Sequence, residues 1–205
     1  DHRGLHSFPT RRSSDLVVAG AGDSSLNVPD CNGFAALMAL ADAEDDPLAM
    51  SRPFDATRKG FVMGEGAGFL VLESRSHAKA RGARVLARLH RPGLASEGYN
   101  IVSPEPDGRG MARTMRRALV AAGLEPTAIG YVNAHGTSTP LNDLYESAAI
   151  RDVFGDHSGR LPISSTKGVT GHCLAAAGGV EAVITVLALA RGVLPPTVNL
   201  AHPDP

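Results

Sequence analysis

The sequence predicts an α/β fold, and three observations carry that prediction. Short apolar, strand-like runs alternate with helical patterns along most of the chain. The 205 residues, 43% of them hydrophobic, suffice for a sizeable core. Neither a short-period repeat nor a low-complexity tract interrupts the alternation.

Taken in order, Leu16 to Ala21 reads as a short buried strand. Gly33 to Ala43 reads as an Ala-rich helix with Leu37, Met38 and Leu40 facing inward, ended by Glu44-Asp45-Asp46 and Pro47. Met50 to Arg58 is a polar loop, and a glycine-spaced stretch from Gly60 to Gly68 runs into a strand, Phe69 to Glu73. Glycines at 60, 64, 66 and 68 imply backbone that must turn or approach another segment closely. Ser74 to Arg81 is a short basic helix, and Val85 to His90 a strand opening a second half. After a loop with Pro104, Pro106 and Gly108 come a helix, Met111 to Ala122, a turn at Gly123 to Pro126 and a strand, Ile129 to Asn133. A helix over Leu141 to Phe154, a strand over Leu161 to Ser165 and a long helix over His172 to Arg191 complete the order. The longest apolar stretch, Leu174 to Leu189, is rich in Ala and Gly and interrupted by Glu181, so it reads as a buried helix rather than a membrane span.

Twenty Lys plus Arg against 21 Asp plus Glu leave no electrostatic case for nucleic acid or an anionic membrane. Two distant cysteines without a CxxC pair argue against a disulfide framework or a zinc site. A reducing, cytoplasmic compartment is expected. Residues 1–16 lack an apolar period, and His6 to Leu16 is similar to the conceptual translation of a sequencing adapter. A twin-arginine signal at Arg11-Arg12 fails on the length of the apolar stretch that follows. The expectation is that residues 1–16 are non-native, that the reading frame was cut near Val17, and that the protein continues upstream.

The chemistry concentrates in Asn133-Ala134-His135-Gly136-Thr137-Ser138-Thr139-Pro140 and in Ser164-Ser165-Thr166-Lys167-Gly168-Val169-Thr170-Gly171-His172. His135 follows a strand directly, and the carboxyl ends of strands are where α/β sheets place ligands. A hydrogen-bonded structural histidine is the alternative. Thr137, Ser138 and Thr139 offer hydroxyls to a polar ligand, or an N-cap to the helix near Leu141. His172 at a helix start would feel the positive end of the helix dipole, which disfavours the imidazolium, or it merely caps that helix. Two neutral histidines donating N–H to one developing oxyanion would suit carbon–carbon chemistry on a thioester. Lys167 either orients the histidines or a substrate, or is an ordinary solvated lysine. Glu181, in an otherwise apolar helix, needs a Lys or Arg partner, or holds an ion or water.

Cys173 reads as a packing residue in the long helix and Cys31 as a loop residue; neither sits at a strand-to-helix nucleophile turn. Gly20-Ala21-Gly22 lacks the rest of a dinucleotide loop, and neither histidine has a third ligand at metal-binding spacing, so no metal site is expected.

Six ordered segments together resemble the β-ketoacyl-acyl-carrier-protein synthases, closest to the type II elongating enzymes of fatty-acid synthesis. They are Val17 to Gly20, Ser51 to Asp55, Gly60 to Gly68, the two histidine segments and Leu194 to Leu200. The resemblance implies a thiolase-like fold with layered α-β-α-β-α order, usually in a homodimer. Residues 17–82 would be the end of the N-terminal half, and 83–205 the C-terminal half, incomplete at its end. It implies that His135 and His172 hold the thioester carbonyl of malonyl-carrier protein during decarboxylative Claisen condensation, with Lys167 supporting them. It further implies that Thr137 and Thr139 bind the phosphopantetheine arm of the acyl carrier protein and that Glu181 is structural. Arg52, Arg58 and Lys59 become candidate contacts to the acidic carrier, and no cofactor is expected. By this resemblance the nucleophilic cysteine would lie upstream of Val17, and the glycine-rich motif with its gating phenylalanine beyond Pro205, leaving the fragment inactive alone. Alternatives are a polyketide ketosynthase, its chain-length-factor partner, and a non-catalytic carrier-docking module.

Overall fold

The computed structural model describes residues 14–43 and 46–204. Most of the segment expected to be non-native, residues 1–13, therefore lies outside the described residues, as do Glu44 and Asp45 of the helix-ending cluster. Asp15 and Leu16 do take part in the fold. The Asp15 carbonyl accepts from the Ser74 amide at 2.9 Å, and Leu16 pairs with Glu73.

Among the described residues the strands form two two-stranded sheets. β1 (Leu16–Asp23) and β2 (Gly66–Glu73) pair antiparallel from Leu16 opposite Glu73 to Asp23 opposite Gly66. Their side chains alternate between faces, and one face is covered by the C-terminal helix, α6 (Ala177–Arg191). That approach is close because both partners lack side chains at the crossing: a Cβ on Gly68 would fall 2.3 Å from the Gly179 backbone. β3 (Val132–Asn133) and β4 (Ile163–Ser164) pair in parallel and end at the two histidine segments. They are shorter than the apolar runs that predicted them.

α1 (Val28–Ala36) starts and ends earlier than the expected Gly33 to Ala43. Asn27 caps it by accepting the Asp30 amide at 3.0 Å, with Pro29 in the first turn, where its missing N–H costs nothing. Met38 then adopts φ 53°, and the apolar residues beyond it run alongside Phe61 instead of continuing the helix. Cys31 consequently sits on α1, not in a loop.

α2 (Arg75–Ala80) follows β2 directly, capped by Ser74. The expected strand at Val85 to His90 is absent: the run has strand-forming residues, but no described segment pairs with it, and Val85 and Leu89 stay exposed. α3 (Arg109–Ala122) ends at Gly123 in the left-handed conformation, and the Leu124 amide returns to the Leu119 carbonyl. α3 and α4 (Pro140–Phe154) enclose a core of Ala112, Ala149, Ile150, Val153, Phe154 and Leu161, reached by Val132 and Ile163 from β3 and β4. This core fixes the strand ends that carry the histidines.

The expected helix from His172 is broken. α5 (Lys167–Thr170) is a single turn, Gly171 and Leu174 take positive φ, and a 3-10 turn over Leu174–Ala176 precedes α6. Nor is the helix buried. Leu174–Arg191 is long and apolar enough to cross a membrane by length and composition alone, and only 17% of it is buried. One of its faces lies on β1 and β2 while the other is open.

Candidate active site

The two histidines meet. Their ring centroids lie 5.2 Å apart and the planes cross at 87°. A single oxygen about 3 Å from one nitrogen of each ring is compatible with that separation.

His172 is held by backbone on both sides: its amide donates to the Val62 carbonyl at 2.7 Å, and its carbonyl accepts from the Gly64 amide at 3.0 Å. Phe61 packs edge-on against the imidazole at 5.1 Å. Because His172 precedes the helix by five residues, the helix dipole is not what keeps it neutral. Burial, assisted by the Lys167 charge, lowers its pKa to about 4. The Leu174 amide donates to its Nδ1 at 3.1 Å, which places the ring proton on Nε2 and leaves that N–H to donate.

His135 stands where β3 leaves the sheet. Gly136 follows at φ 38°, and a Cβ there would lie 2.5 Å from the Ser165 side chain, so the turn requires glycine. Burial, then the charge of Lys167 and the neighbouring His172, lower the His135 pKa to about 3. The ring nonetheless keeps one face open to solvent.

Lys167 is 1% exposed, which rules out the solvated reading. Its Nζ donates to the His135 carbonyl at 2.6 Å and pairs with the Glu181 carboxylate. These two partners offset the cost of burying the side chain's polar end. One side chain thus ties the His135 turn to α6. Thr137 and Thr139 lie in the same turn with their hydroxyls 2.8 Å apart. Thr139 does occupy the N-cap position of α4, but its hydroxyl makes no cap bond.

Two carboxylates that the sequence did not single out hold this turn. Glu146 accepts the His135 amide at one oxygen and the Gly136 amide at the other, both at 2.8 Å. Asp143 accepts the Phe54 amide at 2.8 Å and the Ser138 amide at 3.1 Å. Burial pushes both acids upward in pKa, and the backbone donors oppose that rise. Their spacing of three on α4, facing the turn, was the available signal. Glu146→Gln can accept through only one oxygen, so one buried N–H loses its partner. The expected loss is about 2 kcal/mol of stability, read by urea denaturation.

Arg58 does not face a partner. Its side chain is 6% exposed; it donates to the Asp55, Thr139 and Pro140 carbonyls and pairs with Asp204 at 2.6 Å. Of the candidate carrier contacts Arg52, Arg58 and Lys59, Arg58 is thus occupied inside the fold. Arg52 is half-buried and donates to the Ala49 carbonyl, while Lys59 is exposed. Cys173 is buried, with burial raising its thiol pKa, and it packs near Gly64 and Gly66.

The neutral histidines give the fold a pH dependence. With His172 at about 4 in the folded chain and the unfolded value at 6.5, the unfolded chain takes up its proton first as pH falls. The stability contributed by the neutral ring is complete above pH 6.5 and is lost as pH falls toward 4. Urea midpoints should drop between pH 7 and pH 5, and drop less in His172→Gln.

The profile of the beta-ketoacyl synthase C-terminal domain matches residues 86–201, and that of the beta-ketoacyl synthase N-terminal domain matches residues 10–78. A 3-oxoacyl-[acyl-carrier-protein] synthase 2 of Synechocystis sp. is 46% identical over 92% of this chain and 45% of its own length. The mitochondrial 3-oxoacyl-[acyl-carrier-protein] synthase of Arabidopsis thaliana is 48% identical over 94% of this chain and 42% of its own length. Among solved structures, a type II polyketide ketosynthase in complex with its acyl-carrier protein superimposes with a TM-score of 0.91. It is 40% identical over 94% of this chain and 47% of that one. The chain spans under half the length of these relatives. With one family profile covering more than half of its residues, and a mixed α/β fold matching solved ketosynthases, the chain belongs to the beta-ketoacyl synthase family.

Proposed function

We propose that this chain carries the decarboxylating part of a 3-oxoacyl-acyl-carrier-protein synthase of fatty-acid elongation. The observation that carries the reading is the perpendicular pair of neutral imidazoles, His135 in a turn anchored by Lys167 and Glu181 and His172 held by the backbone of Val62, Gly64 and Leu174. The substrate is a malonyl thioester on the phosphopantetheine of acyl carrier protein, and Thr137 and Thr139 hold the arm. As the carboxylate leaves as carbon dioxide, the electron pair of the broken C–C bond moves onto the thioester carbonyl oxygen. Nε2–H of His172 and a ring N–H of His135 stabilise that enolate oxygen in a site partly shielded from water. The carbanion end then attacks an acyl thioester, expelling its thiolate and forming the new C–C bond.

Cys173 is not that acyl-accepting thiolate, since its thiol is buried and shifted toward the protonated form. The 205-residue chain alone should give no condensation product from acyl- and malonyl-carrier proteins, and measurable turnover would contradict the assignment. The proposal extends to a thiolase-like layering, a homodimer and a cytoplasmic setting for the whole protein.

The likeness to a polyketide ketosynthase keeps a polyketide substrate as the second reading. Product analysis with the protein from its complete open reading frame separates the two. Elongation of saturated acyl-carrier proteins by two carbons supports the first, and acceptance only of poly-β-keto chains supports the second.

A further inference from the structure

Ser138 lies between the two threonines, fully buried and at φ 70°. A residue with a Cβ adopts that left-handed conformation uncommonly, and it persists where the surroundings determine it. Here they do so from two sides. The Ser138 amide donates to Asp143 Oδ2 at 3.1 Å, and Ser138 Oγ accepts the Arg52 amide at 3.0 Å. Asp143 Oδ2 also accepts the Phe54 amide, so Ser138 and Asp143 together fasten the loop over residues 50–58 to the His135 turn, beside the bonds of Arg58.

The consequence falls on its neighbours. In an extended strand, residues i and i+2 stand about 6.6 Å apart along the chain. The left-handed Ser138 folds the backbone so that the Thr137 and Thr139 hydroxyls meet at 2.8 Å. We propose that Ser138 is a positioning residue: its buried left-handed turn, locked to the Arg52 amide, joins the two threonine hydroxyls into one clasp for the polar arm of the thioester substrate. The inference rests on the malonyl-thioester reading above. It adds a residue that touches no substrate yet sets affinity for the arm.

The test uses Ser138→Ala and Ser138→Gly in the protein from its complete open reading frame, with two substrates. Malonyl-pantetheine carries the arm, whereas malonyl methyl thioester offers the histidines the same carbonyl without it. Ser138→Ala removes the acceptor of the Arg52 N–H and still holds a Cβ in the left-handed turn, so KM for malonyl-pantetheine decarboxylation should rise roughly tenfold with kcat little changed. Ser138→Gly enters the left-handed region freely and should raise KM by only about threefold. Turnover of the methyl thioester should be unaltered in both. Unchanged KM, or an equal loss on both substrates, would overturn the proposal, the latter because it reveals only a general structural role. A wild-type protein that decarboxylates neither substrate would instead overturn the malonyl-thioester reading, and this inference with it.

Discussion

Replacing His172 with alanine is expected to abolish carbon dioxide release from malonyl-pantetheine, and His135→Ala is expected to do the same. Each loses one of two donors aimed at a single developing charge, and removing one such donor costs about 10²- to 10³-fold in rate. The geometry also predicts how the two losses combine. On the proposed reading both rings, 5.2 Å apart between centroids, serve one oxygen, so the double variant should be scarcely worse than the poorer single variant. Two independent sites would instead multiply their losses. Undiminished release in either single variant would remove the oxyanion assignment.

Lys167→Met should have the largest effect on stability. Lys167 is buried against the His135 carbonyl and the Glu181 carboxylate, so its removal strands an acid on α6 and bares a carbonyl in the catalytic turn. Breaking a buried pair at one end costs about 3–5 kcal/mol. Replacing both partners, Lys167→Met with Glu181→Met, leaves no stranded charge and should recover most of that loss. Decarboxylation should not recover, since the His135 turn still lacks its anchor. The lysine charge also lowers both histidine pKa values, so its removal should move their titration upward. Urea denaturation of the two single variants and the double variant, beside their decarboxylation rates, separates the roles.

What the sequence made legible was local. His135, Gly136, Thr137, Thr139 and Lys167 lie in short segments at strand ends, where residue type and position speak together. What it hid depended on the packing of distant segments. Glu146 and Asp143 look like ordinary helix acids, Asp143 in the first turn where the dipole favours it; only the fold aims them at the amides of residues 135, 136, 138 and 54. The inward role of Arg58 was hidden because nothing nearby in sequence announces Asp204 or the Thr139 and Pro140 carbonyls. The start of the last helix was misplaced because an Ala- and Gly-rich run is helical in pattern, while the positive φ at Gly171 and Leu174 is set by the bond between His172 and Val62 and the cap on Nδ1. Neutrality of His172 was expected from a helix dipole and comes instead from burial and the nearby Lys167 charge. Val85 to His90 shows the converse, since a strand pattern makes no strand where no described segment pairs with it.

The central claim is that both imidazoles donate to the same oxygen. It is tested most directly by titrating the protein with malonyl-pantetheine in which nitrogen replaces the thioester sulfur, following the imidazole ¹⁵N–¹H resonances of both histidines at pH 7. One ring N–H from each of His135 and His172, with Nε2 as the protonated nitrogen of His172, should shift together along one binding isotherm. A response from one ring alone, or a His172 protonated on Nδ1, would contradict the claim.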